Sequence, residues 1–116
     1  MAYLNTTNLS DQRIAQSGWT TLGSSINMLG YRELVAFINV TGIQAGGWLD
    51  LKIMDGPGDG LWSDLYVFER IQANGVVPYR HPTTYPIGPN LIYAYKANLP
   101  VTFATYEYLK TRESTM

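Results

Sequence analysis

The chain contains no cysteine, and among its 116 residues it has a single histidine. The first absence removes disulfides, thiolate metal sites and a cysteine nucleophile together, while leaving the cellular compartment open. The second means that Ser-His-Asp chemistry would have to run through His81 alone. One histidine without cysteine cannot build a usual closed zinc site. Charged residues are scarce at 15%, and eight Lys+Arg against nine Asp+Glu leave a formal net charge of −1. A polyanion binder needs a basic excess, so nucleic acid is not an expected partner. No apolar run approaches the roughly 18–20 residues of a membrane-spanning helix, and no membrane partner is expected. The first residues, Met1-Ala2-Tyr3-Leu4-Asn5-Thr6-Thr7, lack the basic flank and apolar block of a signal peptide.

What the chain has is apolar and aromatic. Hydrophobic residues make up 46%, too many for a disordered chain, and nine Tyr, three Trp and three Phe sit among many Thr, Val and Ile. These residues suit a pleated, half-buried surface, and eleven Gly and six Pro break the chain at the short intervals of an all-β protein. At this length the expectation is one domain.

The clearest strand is Tyr31–Val40. Leu34, Ala36, Ile38 and Val40 share one face at period two, and Glu33, Val35, Phe37 and Asn39 the other. Both faces are largely apolar, which predicts a central strand. Trp48–Met54 alternates with Leu49, Leu51 and Ile53 inward and Asp50 and Lys52 outward. Asp55-Gly56-Pro57-Gly58-Asp59-Gly60 reads as a turn. In Leu61–Ile71 the alternation sets Leu61, Leu65, Val67 and Ile71 against Trp62, Tyr66 and Phe68. Asn74-Gly75 is a hairpin signal. Four of the six prolines fall within residues 78–89, so that stretch is an edge or a surface loop. Weaker strand patterns cover Trp19–Met28, Leu91–Asn98 and Val101–Lys110. The expected architecture is a single β-sandwich of six to eight antiparallel strands, jelly-roll-like or immunoglobulin-like. It spans residues 18–110, between an N-terminal arm (1–17, with a possible helical turn from Ser10) and a polar tail (111–116).

Chemistry is sparse. His81, between Arg80 and Pro82 with no Gly-x-Ser-x-Gly turn in the chain, reads as an exposed loop histidine. Asp50, Asp55, Asp59 and Asp64 bracket three glycines, but their spacing fits neither an EF-hand loop nor a calcium-binding repeat, so they read as turn residues. Asp50, Asp64, Glu69 and Glu107 are the carboxylates from which a glycosidase pair would be drawn, and sequence alone brings no two together. The expectation is no enzyme, no catalytic residue, no cofactor and no metal. Tyr79, Tyr85, Tyr93 and Tyr95 fill a core, anchor a protein interface or line a sugar platform. Asn5, Asn8 and Asn39 open Asn-x-Ser/Thr sequons, read as coincidence in the absence of a secretion signal.

From Leu29 to Leu109 the features fall in a recognisable order. Leu29-Gly30-Tyr31 leads into an apolar strand, followed by Val40-Thr41-Gly42-Ile43 and a Gly-Gly loop. Leu49-Asp50-Leu51-Lys52-Ile53-Met54-Asp55-Gly56, Trp62-Ser63-Asp64-Leu65, Leu91-Ile92-Tyr93-Ala94-Tyr95 and a closing Thr-rich strand come next. This order resembles the small β-sandwich virion proteins of tailed bacteriophages, the capsid-decoration and head-fibre-like proteins. The resemblance implies a non-enzymatic structural protein of the virion, assembled in the host cytoplasm. It would decorate or stabilise the capsid through contacts with the major capsid protein or another virion protein. It would also act as a homo-oligomer, most simply a trimer, whose copies attach multivalently. Residues 78–89 exceed the connection that family would have. The arm and this loop are the expected contact segments, through Tyr3, Leu4 and Leu9 in the first and Tyr79, Tyr85 and Ile87 in the second. The alternative from another class is a carbohydrate-binding β-sandwich module.

Overall fold

The computed structural model describes residues 2–11, 18–28, 31–58, 60–82 and 87–111. They form eight strands: β1 (Ala2–Asp11), β2 (Thr20–Asn27), β3 (Tyr31–Gly42), β4 (Leu49–Gly58), β5 (Leu61–Val67), β6 (Gly75–Arg80), β7 (Asn90–Ala97) and β8 (Val101–Thr111). There is no helix among the described residues. The strands make two four-stranded sheets, ordered β1-β8-β3-β6 and β2-β7-β4-β5, with every pairing antiparallel.

That order decides between the two expected sandwiches. The pairs β1:β8, β2:β7, β3:β6 and β4:β5 are nested like the two arms of one long hairpin. Rolling that hairpin so that alternate pairs fall in opposite sheets gives the jelly roll. An immunoglobulin sandwich groups its strands differently. The chain is an all-β, eight-stranded jelly roll.

The core is the slab between the sheets. β3 supplies Leu34, Ala36, Ile38 and Val40, and β4 supplies Leu49, Leu51 and Ile53, none more than 1% exposed. Leu91, Tyr95 and Ala97 of β7 meet Val101, Phe103 and Leu109 of β8 across the gap, and the Tyr95 and Phe103 rings pack edge-on at 5.8 Å. Each of the Val, Leu, Ile and Phe side chains contributes about 1.5–3 kcal/mol by leaving water.

Several expectations are corrected. Residues 2–11 of the expected arm form β1, paired with β8 over ten consecutive positions from Ala2↔Lys110 to Asp11↔Val101. Its polar sequence hides the strand because backbone pairing, not alternation, holds an edge. Residues 12–17 and 112–116 of the arm and tail lie outside the described residues. β4 runs into the expected Asp55–Gly60 turn as far as Gly58, pairing Asp55↔Ser63 and Gly58↔Leu61 around a bulge, and Asp59 lies outside the described residues. Leu61 and Val67 are exposed at 64% and 52%, because β5 is an edge strand with two register breaks and does not keep one face inward. Asn74-Gly75 turns the chain without making a hairpin. It carries the chain from β5 in one sheet to β6 in the other, with Gly75 at φ +148° and the Asn74 side-chain oxygen accepting from the Ile43 amide at 2.9 Å. Pro78 lies on β6, an edge strand, where a missing donor costs the sheet little.

Candidate functional site

β3 raises the question of a site. A strand in a two-layer sandwich has one face toward the core, yet both faces of β3 carry large apolar residues. Val35 and Phe37 therefore point to the outside of the β1-β8-β3-β6 sheet. In an antiparallel sheet, directly opposite residues share a face. The register places Val35 between Tyr108 and Arg80, Phe37 between Tyr106 and Pro78, and Asn39 between Ala104 and Val76. The Phe37 and Tyr108 rings meet edge-on at 6.1 Å, and the Arg80 guanidinium lies 5.8 Å from the Phe37 ring. Tyr108 is 47% exposed and Val76 61%. The result is an aromatic and aliphatic patch with the Arg80 charge at its β6 margin.

The outer side of the other sheet is built differently. Trp19 lies under two ammonium groups, Lys52 at 4.4 Å and Lys96 at 4.9 Å. Trp48 is covered by the Arg70 guanidinium at 3.8 Å. Arg70 makes two parallel 2.9 Å hydrogen bonds to Asp50, which hold its pKa above the ordinary value, and Lys52 pairs with Asp64 at 3.0 Å. The large rings here already have cationic partners, and the surface between them is charged. Val67, opposite Lys52, is also exposed on this side, so among the described residues both outer faces carry apolar surface, and the second is interrupted by the Arg70–Asp50 and Lys52–Asp64 pairs.

The residues singled out from sequence fall in scattered places. Tyr3 and Leu9 occupy register positions opposite the buried Leu109 and Phe103, and Leu4 lies opposite the exposed Tyr108. Tyr79 is buried on β6. It stacks on Tyr66 at 4.3 Å and 22°, closing the side of the sandwich between β5 and β6, so its role there is packing. Burial, then Tyr66 and Asp55, raise the pKa of the Tyr79 phenol. Ile87 is half-buried against the core, and Tyr85 lies outside the described residues.

His81 is a correction. It is buried at 8% exposure, with Nδ1 2.7 Å from the Tyr79 hydroxyl and its amide donating to the Leu34 carbonyl at 3.0 Å. His81 continues the β6 pairing level with the buried Leu34, one residue past Arg80, so alternation puts its side chain on the inner face beside Tyr79.

The carboxylates also part company. Asp50 pairs with Arg70 and Asp64 with Lys52, and Asp55 accepts from the Gly88 amide at 2.8 Å. Glu107 is fully buried and accepts a 2.6 Å hydrogen bond from the Tyr93 hydroxyl across the sandwich. Among the described residues no three His, Asp or Glu side chains are placed to hold a metal ion.

No protein-family model matches the chain, and no curated protein does. Solved structures do. PirA matches at 14% identity over 94% of this chain and 93% of its own, with a TM-score of 0.51. A chain of infectious bursal disease virus, Gx strain, matches at 11% identity over 97% of this chain and 32% of its own, with a TM-score of 0.53. The SPBc2 prophage-derived protein YomS matches at 10% identity over 94% of both chains, with a TM-score of 0.49. At such identities the likeness is one of fold, and the similar structures include a viral chain.

Sequence reasoning missed Tyr106, Tyr108 and Val76 as surface residues. The signal was the doubly apolar β3. In a two-layer sandwich the second apolar face of an interior strand must meet solvent or something outside the domain.

Proposed function

We propose that the chain is a non-enzymatic structural protein of a phage virion, decorating or stabilising the capsid through the outer face of the β1-β8-β3-β6 sheet. The observation that carries this reading is that face: Val35, Phe37, Tyr106, Tyr108, Pro78 and Val76 lie together on one side of the sheet. Apolar patches of this kind on a folded domain mark interaction sites, and Tyr and Phe are enriched at the centre of protein interfaces. The fold likeness to a viral chain supports the setting.

Size explains how such a protein would attach. Four strands about 4.8 Å apart and roughly 30 Å long give a face of about 550 Å². That is less than the ~800 Å² per partner of a standard stable interface. One copy would bind weakly, and linked copies would hold by multivalency.

The test uses particles purified from the phage that encodes the chain, probed by quantitative mass spectrometry. The protein is expected in fixed ratio to the major capsid protein. Phe37→Ser with Tyr108→Ser is expected to remove it from particles while the isolated variant keeps its β-sheet circular dichroism. Absence of the parent from particles, or undiminished incorporation of the folded variant, refutes the reading. Binding of the parent to a glycan array, lost in the same variant, would replace it with the carbohydrate-binding alternative.

A further inference from the structure

The four sheet edges are not equally protected. β2 is broken by a register shift between Leu22 and Ile26, and β5 by two shifts opposite β4. β6 is six residues long and contains Pro78. Bulges, short length and proline are the devices by which edge strands avoid pairing with other chains. β1 has none of them. It runs for ten residues in unbroken register with β8, contains no proline, and carries its one charged side chain at its last position, Asp11. At the margin of its sheet, its outer backbone edge meets no other strand among the described residues.

We infer that β1 pairs antiparallel with β1 of a second copy across a two-fold axis, joining two sheets into one of eight strands ordered β6-β3-β8-β1-β1-β8-β3-β6. A second copy is the occupant because the strand complements itself. A two-fold axis normal to the sheet keeps the same face outward in both copies, so odd positions meet odd and even meet even. Centring the axis on Thr6 sets Thr6 opposite Thr6, Tyr3 opposite Leu9 and Asn5 opposite Thr7 of the second copy. These are a threonine pair, an aromatic–aliphatic pair and a polar pair, the kinds that favour cross-strand contact. Asp11 falls outside the ladder. Centring on Thr7 instead sets Asp11 opposite Tyr3 and Asn5 opposite Leu9, which mismatches both.

The pairing goes beyond the docking proposal and stands without it. It also has a consequence for that proposal, because two outer faces become one continuous surface of about 1,100 Å², twice the area available to one copy.

The full chain is expected to sediment at twice its monomer mass. Because the chain has no cysteine, Thr6→Cys introduces a single reporter thiol. Directly opposed strand residues have Cα atoms about 4.5–5.5 Å apart, within the range a disulfide spans. Thr6→Cys is therefore expected to form a disulfide-linked dimer under mild oxidation, while Gln72→Cys, in an exposed loop, is expected to form no covalent dimer under the same treatment. Thr6→Lys and Thr6→Asp are each expected to sediment as monomers, and an equimolar mixture to recover the dimer, which a misfolded variant cannot do. A parent that sediments as a monomer or a trimer overturns the inference. So does cross-linking of Thr6→Cys no greater than that of Gln72→Cys, or a mixture that stays monomeric.

Discussion

Replacing Tyr93 by Phe removes one oxygen atom from the centre of the sandwich and almost nothing else. The hydroxyl comes from β7 in one sheet and donates at 2.6 Å to Oε2 of Glu107, which comes from β8 in the other. Tyr93 is 4% exposed and Glu107 0%, so water does not replace the lost donor freely. A 2.6 Å O–H···O contact lies in the range of hydrogen bonds to a carboxylate, which are roughly twice as strong as neutral ones. Leaving a buried acceptor short of a donor costs about 1–3 kcal/mol, toward the upper end for a charged group. The ring is otherwise conserved, so no cavity term is added. For a domain of this size each kcal/mol moves Tm by roughly 3–5 °C, so the loss of about 2–3 kcal/mol lowers Tm by roughly 6–15 °C. Thermal unfolding followed by circular dichroism measures it, with Tyr108→Phe as the control, since that ring is 47% exposed and its change belongs within about 0.5 kcal/mol. A cycle with Glu107→Gln isolates the coupling between the two residues. If Tyr93→Phe melts within the range of the Tyr108→Phe control, the inter-sheet hydrogen bond does not hold the layers together and the reasoning fails.

How far this arrangement could be read in advance varies from element to element. β3 and β4 were legible because burial of one face imposes period two on the sequence, and Leu34–Val40 and Leu49–Ile53 obey it. β6 was legible as an edge through Pro78, since the absence of an N–H is a property of the residue itself. β1 was not. An edge strand held by backbone pairing needs no apolar alternation, and Asn5-Thr6-Thr7-Asn8 reads as an arm until its partner β8 is known. The apolar outer face was half legible. The doubly apolar β3 gave the signal, but assigning its second face to the outside required knowing that the protein has only two layers. His81 was misplaced and Glu107 was left unplaced for one shared reason: their residue types favour the surface, and the partner that makes burial tolerable, Tyr79 for one and Tyr93 for the other, reveals the exception. Those partners lie 2 and 14 residues away in sequence, and neither spacing is a motif.

Gly56→Ala is expected to destabilise the fold by about 1–3 kcal/mol or more, measured by urea denaturation, because a Cβ there collides with the Leu61 carbonyl oxygen on the facing strand; an unchanged midpoint refutes the close approach. His81→Ala is expected to cost about 1–3 kcal/mol in the same assay by leaving the Tyr79 hydroxyl without its 2.7 Å partner, and a neutral result returns His81 to the surface. The last prediction concerns alkaline pH. Burial, then the charge of Glu107 and its hydrogen bond, raise the pKa of the Tyr93 phenol well above 10.0, with Thr105 opposing. The folded chain therefore keeps this proton where the unfolded chain has begun to lose it. Stability owed to the neutral phenol is complete below the unfolded value and declines as pH rises past it, because the unfolded state then binds fewer protons. One proton corresponds to at most about 1.4 kcal/mol per pH unit. The stability gap between the parent and Tyr93→Phe should thus narrow between roughly pH 9 and pH 11, a window that brackets the ordinary phenol value. Tyr79, whose phenol is also raised, is present in both proteins and cancels in the difference. A gap that stays constant across this window would mean that Tyr93 ionises as readily in the folded chain as in the unfolded one.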